Sequence, residues 1–371
     1  LEQPVLTSRH LDVSFGRHLS EGNLLSSADL HILSTDTDDG TITVVGRFGD
    51  KHEILKQIRV GNAPRGSVKF TSTGRGFVSN TSQNTVSEID PVGLSEVRRI
   101  EVGHGPRGLG VVPGDRYLLV SNSGSDTISV VDLDANVELH QIACGRDPRH
   151  MAITSDGATA FVSIWGDGHI ARLDLRPLAE DRVSDVSIER TIDVGATAHP
   201  YSVSFAPGEQ QLFVANTQAK YVSVIDVDTN EETRVEVAAI GGRAVGYSPD
   251  GGYALVTIET ISKLAVISLA SLEVTRYIET GPGPRGLAVD KPSHVVYVSA
   301  FDRATLMPGT EISDYGPNTL TMVDLSTGDL GSAVGSFESQ VVPVGYGPCS
   351  VSLFEPASVA ARADALEEIQ V

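Results

Sequence analysis

The sequence is short of several things, and each shortage excludes something. Its 371 residues include two cysteines, Cys144 and Cys349, with no CxxC spacing, which argues against a disulfide framework and against a zinc knuckle. No apolar run approaches the roughly 18 residues that a membrane-spanning helix needs, so no membrane segment and no membrane partner are expected. The N-terminus lacks the basic, apolar, then small-residue order of a signal peptide. Because the chain starts at Leu1 and not at Met, an upstream segment removed by processing stays possible, and a soluble cytoplasmic or an exported location are both open. Basic residues are also scarce. Twenty-eight lysines and arginines against 48 acidic residues give a formal charge of -20, which repels nucleic acid and anionic membranes at long range. There is no Walker loop and no GxSxG elbow, so two common catalytic frameworks have no footing.

What is present is a repeat. Short Val, Ile, Leu, Thr and Ser runs alternate with period two and are cut by Gly, Pro, Asn and Asp, the pattern of half-buried strands. One turn recurs seven times: VGNAPRGSV (60–68), VGHGPRGLG (102–110), CGRDPRHMA (144–152), VGATAHPYSV (194–203), IGGRAVGY (240–247), TGPGPRGLAV (280–289) and VGYGPCSVSL (344–353). With Pro64, Pro106, Pro148, Pro200, Gly242, Pro284 and Pro348 as anchors, the spacings are 42, 42, 52, 42, 42 and 64. A second element, such as YLLVSNSGSDTISVVD, ends 26 residues after each of the first five anchors.

Each unit therefore reads as four short strands, the size of one propeller blade. The stretches 30–46 and 54–60 supply strands two to four of a blade that lacks its first strand, and 344–354 supplies a first strand alone. Joined, they close the ring and remove its open edges. The expected fold is all-β: a seven-bladed propeller of four-stranded antiparallel blades over 28–355, closed by N-terminal strands pairing with a C-terminal strand. An irregular extension (1–27) precedes it and a short alanine-rich helix (356–371) follows, with Pro356 at the helix start.

The segments VSNTSQNTVSEID and FVANTQAKYVSVID resemble the YVTN-type β-propeller repeat, and the resemblance runs over nearly the whole chain, about residues 28 to 355. It implies the fold strongly and the function weakly, since propellers host many unrelated activities.

Taking the strands as a to d from the axis outward, the d-to-a link and the b-to-c turn of each blade share one face. Residues entering strand a then converge on the axis: Arg65, Arg107, Arg149 with His150, His199 with Tyr201, Arg243, Arg285, and Tyr346 with Cys349. Such a ring either pairs with acids that staple the blades or attracts an anion, for which guanidinium forks are well shaped. The b-to-c turns offer Thr35, Asn80, Asn122 and Asn216, but Trp165 in the third unit and Glu259 in the fifth. The sixth turn is longer by 14 residues, and its segment 302–317 is expected to arch over the mouth as a lid or selectivity loop. Extra residues near 176–187 fall after strand c, away from the mouth.

His199, Arg243, Glu259 and Arg285 form the least repetitive group, with His and Glu suited to proton transfer and the arginines to anchoring a carboxylate or an oxyanion. This set resembles that of seven-bladed lactonases and fungal-type muconate lactonising enzymes, although the full lactonase signatures are absent. The expected activity is thus a hydrolase, lyase or isomerase acting on a small anionic or lactone-like molecule. Arg65, Arg107, Arg149, His150, Tyr201, Trp165 and Cys349 line its binding site. The alternative is a non-catalytic propeller that binds a ligand, a peptide or a protein partner; nucleic acid is disfavoured by the charge. No cofactor is required, and a metal held by His104, His150 or His199 is a further alternative. Asp36, Asp38 and Asp39 in STDTDDG resemble a calcium loop only in part, and a polar hairpin turn is the simpler reading.

Overall fold

The computed structural model describes residues 28–301 and 318–357, and the expected extension (1–27), lid (302–317) and most of the terminal helix lie outside that range. Seven four-stranded antiparallel sheets succeed one another around an axis. The innermost strands are Pro64–Phe70, Pro106–Val111, Pro148–Ile153, Pro200–Phe205, Gly242–Tyr247, Pro284–Asp290 and Pro348–Phe354, here taken as blades one to seven in that order. Six begin at a proline, which lacks the N–H a preceding ladder bond would need and so marks the first residue of a strand.

The seventh blade is composite. Leu30–Asp36, Thr41–Phe48 and Lys51–Arg59 add to the inner strand Pro348–Phe354, with His31 opposite Phe354 and Thr35 opposite Ser350. Ring closure by the two ends of the chain is therefore as the repeat predicts.

The residue before every anchor lies in the left-handed region: Ala63, Gly105, Asp147, His199, Gly241, Gly283 and Gly347. Glycine does this without strain, whereas Ala63, Asp147 and His199 each hold a conformation that is sparsely allowed to an L-residue. The glycine of PRG has a different reason. A Cβ on Gly66 would stand 2.8 Å from the Arg107 carbonyl oxygen, and one on Gly108 2.1 Å from that of Arg149, so neighbouring inner strands approach backbone to backbone.

Second strands are buried throughout and outer strands are largely exposed, as in GFVSN against SEVRRIE. The core lies between blades. Phe77, Leu119, Phe161, Phe213, Leu255 and Tyr297 hold equivalent places, all without solvent exposure, and each such side chain contributes about 1.5–3 kcal/mol on burial. The extra residues after the third strand of blade three form short 3₁₀ turns, Arg176–Glu180 and Val183–Asp185, on the face opposite the anchors.

Candidate functional site: a cationic axial mouth

Two positions per blade build the mouth. The first directly follows the anchor, giving in order Arg65, Arg107, Arg149, Tyr201, Arg243, Arg285 and Cys349. The second follows the end of the second strand, giving Thr37, Thr81, Ser123, Trp165, Thr217, Glu259 and Phe301.

The second position is by default a staple between blades. Thr37 Oγ1 donates to the Pro64 carbonyl at 2.8 Å, Thr81 Oγ1 to Pro106 at 2.8 Å and Ser123 Oγ to Pro148 at 2.7 Å. Trp165, Glu259 and Phe301 cannot make that bond and instead dress the arginines. The Arg149 guanidinium lies 4.9 Å from the Trp165 ring and 5.8 Å from that of Tyr201. Arg243 covers the Tyr201 ring at 4.9 Å, and Arg285 covers Phe301 at 4.0 Å. Aromatic faces attract cations and help to hold them there.

Glu259 is the acid of the site. One carboxylate oxygen accepts from Arg243 Nε at 2.6 Å, and the other from Arg285 Nε at 2.8 Å and Nη2 at 2.6 Å. Burial alone would raise its affinity for a proton, but the two guanidiniums outweigh it and hold the carboxyl below its usual range. Arg149 has an acid too, since its Nη2 donates to Asp147 at 2.5 Å.

Arg65 and Arg107 have none among the described residues. Arg65 Nε and Arg107 Nε and Nη1 are buried with no hydrogen-bond partner. Burial, followed by repulsion from Arg149 and Arg65, pulls Arg107 down to about 10. Five guanidiniums thus share two carboxylates on a chain whose formal charge is -20.

His199 engages Trp165 and makes no hydrogen bond or ion pair with Glu259. Its Nδ1 lies 2.9 Å from the Trp165 carbonyl oxygen, and its ring stacks on the indole with centroids 4.0 Å apart. A carbonyl only accepts, so Nδ1 carries a proton. Trp165 Nε1 in turn donates to Thr217 Oγ1 at 3.1 Å. His150 packs on Tyr201 with centroids 4.9 Å apart, and burial, reinforced by Lys69, Arg149, Arg107 and Arg243, drives it down to about 3. It is a neutral imidazole. Cys349 is buried in the same ring; burial would raise its thiol, but Arg285 and Arg65, with the Thr37 hydroxyl, bring it below its usual range.

Below the ring a cavity of about 310 Å³ follows the axis, lined among others by His150, Tyr201, Arg243, Arg285, Cys349 and Lys69. Thus the structure gathers the expected arginines, His150, Tyr201, Trp165, Glu259 and Cys349 at one mouth. His104, His150 and His199 do not converge: no cluster able to hold a metal occurs among the described residues.

Two placements correct the sequence reading. Asp36, not Thr35, occupies the position of Asn80, because Pro348 pairs with Asp36 as Pro64 pairs with Asn80. Thr35 donates to the backbone carbonyls of Gly66 and Ser350. Lys69 and Phe301 were missed. Phe301 was legible, one residue past a strand end as Trp165 is; Lys69 was hidden by a bulge that shifts the register of its strand.

Fold and mouth together define a class: a closed seven-bladed propeller with an arginine-lined axial entrance. More narrowly, the model of the YNCE-like beta-propeller family matches residues 59–164 and 179–294, and the chain belongs to that family. No curated protein sequence matches it. Among solved structures it is similar to Pseudomonas aeruginosa periplasmic gluconolactonase, PpgL, at 16% identity and TM-score 0.68, covering 87% of this chain and 99% of that one. It is also similar to Kuenenia stuttgartiensis hydrazine synthase, at 20% identity and TM-score 0.62, covering 84% and 99%. A Lactobacillus plantarum protein aligns at 15% identity and TM-score 0.71, covering 88% and 100%. At these identities the likeness is one of fold.

Proposed function

We propose that the axial mouth binds a small carboxylate or lactone-like anion and that the protein acts on it as a hydrolase, lyase or isomerase. The observation that carries this reading is the pair of half-buried, acid-free arginines, Arg65 and Arg107, with buried nitrogens that have no partner, beside three arginines already oriented by acids and aromatic rings. A bound anion supplies the missing counter-charge, and the same donors stabilise negative charge developing on a carbonyl oxygen. The fold shared with a gluconolactonase supports the choice of substrate class.

The roles divide by geometry. Glu259, ionised and engaged by both partners, positions Arg243 and Arg285. Proton transfer falls to His199, whose Nε2 can accept a proton from water or from a carbon acid while Nδ1 stays anchored to the Trp165 carbonyl. His150, held neutral, contributes shape and a hydrogen bond. The fixed geometry of Glu259 also favours a second reading, a propeller that binds a carboxylate-bearing partner without chemistry, because a saturated acid leaves the mouth one proton carrier, not two.

The test pairs binding with turnover. Small carboxylates are expected to raise the unfolding midpoint of the wild type, and Arg107→Ala to weaken their binding by about tenfold or more. On a panel of lactones and unsaturated acids, His199→Gln is expected to lower kcat with little change in KM. Binding without turnover of any of them selects the second reading, and absence of binding overturns both.

A further inference from the structure

The cavity beneath the arginine ring has a cation of its own. In six blades the inner-strand residue paired with the buried Leu119, Phe161, Phe213, Leu255, Tyr297 or Leu33 is small: Gly110, Ala152, Ser204, Gly246, Ala288 or Ser352. In blade one the partner of Phe77 is Lys69. The substitution depends on the local irregularity of that strand, which inserts one more residue between Arg65 and the paired position than the other blades have. Where the other blades place a small side chain, blade one sends a lysine into the cavity.

Lys69 makes no ion pair or hydrogen bond with any described residue, and no carboxylate lines the cavity that it enters. Its neighbours there are the neutral His150, whose affinity for a proton its charge helps to depress, and the hydroxyls of Ser67, Ser202, Ser204, Ser350 and Ser352. Ser67 and Ser350 hydrogen-bond to each other at 2.8 Å, whereas Ser352 Oγ is buried with no partner. A half-buried ammonium that shares a cavity with several hydroxyl donors, with no acid there to neutralise it, is a receptor for anionic oxygen. Arg65 and Lys69 are four residues apart on one strand, about 13 Å at 3.3 Å per residue, and the bulge and two long side chains shorten the gap.

We infer that the mouth and the cavity below it form one elongated site for a dianion, with one oxyanion held at Arg65 and Arg107 and the other at Lys69. The inference rests on the anion-binding reading of the mouth and adds to it the class of ligand: an unbranched chain with an oxyanion at each end. His150, which lines the cavity and feels the charges of both Lys69 and Arg107, is an uncharged ring and lets a ligand backbone pass without another charge to neutralise.

Dicarboxylates from succinate to suberate, and monocarboxylates of matching length, probe this by calorimetry on the full chain at one ionic strength. The expected result is an optimum length at which the dicarboxylate binds about tenfold or more tightly than its monocarboxylate counterpart. Lys69→Met is expected to abolish that preference while leaving monocarboxylate affinity unchanged, and Lys69→Arg to restore it. Arg107→Ala is expected to weaken both series. Thermal unfolding of each variant confirms that the fold survives, and Lys69→Gln replaces Lys69→Met if the latter does not fold. If monocarboxylates bind as tightly as dicarboxylates at every length, or if the preference survives in the folded lysine variant, the elongated site is wrong and the arginine mouth stands. If neither series binds, the arginine mouth fails as well.

Discussion

Arg65 and Cys349 are neighbours in the ring but face opposite electrostatic problems. A buried guanidinium without a counter-ion is destabilising, whereas a buried thiol beside guanidiniums gains by ionising. The two cysteines of the chain consequently separate. Cys144 is pushed up to about 12 by burial, with Asp126 and Asp167 adding to it, while the arginines bring Cys349 below its usual range. Iodoacetate at neutral pH is therefore expected to alkylate Cys349 well ahead of Cys144, and a bound carboxylate to slow that reaction. Peptide mapping by mass spectrometry checks both, and equal labelling of the two thiols would count against the charged ring. The arginines were legible because each directly follows a recognisable anchor. Their partners were less so: Asp147 lies within the same turn as Arg149, but the pairing of Glu259 with Arg285 spans two blades, and only packing brings them together.

The paired second and third strands show a recurring clasp. Asn80 Nδ2 donates to Thr85 and Ser87, Asn122 Nδ2 to Thr127 and Ser129, and Asn216 Nδ2 to Ser223. In the composite blade an acid replaces the amide: Asp36 accepts from Ser34 Oγ, Thr41 Oγ1, Thr43 Oγ1 and the Thr43 N–H. Burial dominates those bonds and raises the carboxyl from 3.8 to about 7. The folded state then holds a proton that the unfolded chain releases, so stability from this group is present below about pH 4 and is lost as pH rises to about 7. Asp36→Asn, which restores the amide found as Asn80, Asn122 and Asn216 in three other blades, is expected to remove that slope. It should stabilise the protein at pH 8 by on the order of 4 kcal/mol, the free energy of moving a carboxyl from 3.8 to about 7. Denaturant unfolding of both proteins across this range measures it, and parallel pH profiles would refute the assignment. At this scale the strand pattern was readable because period two is a local property, whereas the exchange of Asn for Asp at equivalent positions became clear only from strand register. One residue of misalignment had put Thr35 there.

A closed ring makes the whole molecule depend on its last strand. Pro348–Phe354 supplies both the inner edge of the composite blade and Cys349 of the mouth. A chain ending at Val344 should lose its single cooperative unfolding transition and expose the edge of Leu30–Asp36, a template for aggregation. Scanning calorimetry and light scattering test this, and an unchanged midpoint would show that closure is dispensable. The anchor spacings, the period-two alternation and the split unit at the two ends determined the seven blades and their closure from sequence alone, because these features repeat and each repeat reports on a local backbone requirement. The inner register of blade one, the clamp of Glu259 between two blades, the anchoring of His199 Nδ1 at the Trp165 carbonyl and the cavity that Lys69 enters were decided by tertiary structure. Each depends on which side chains of different blades meet around the axis, and a linear spacing carries no information about a bulge that moves one residue into its neighbour's place.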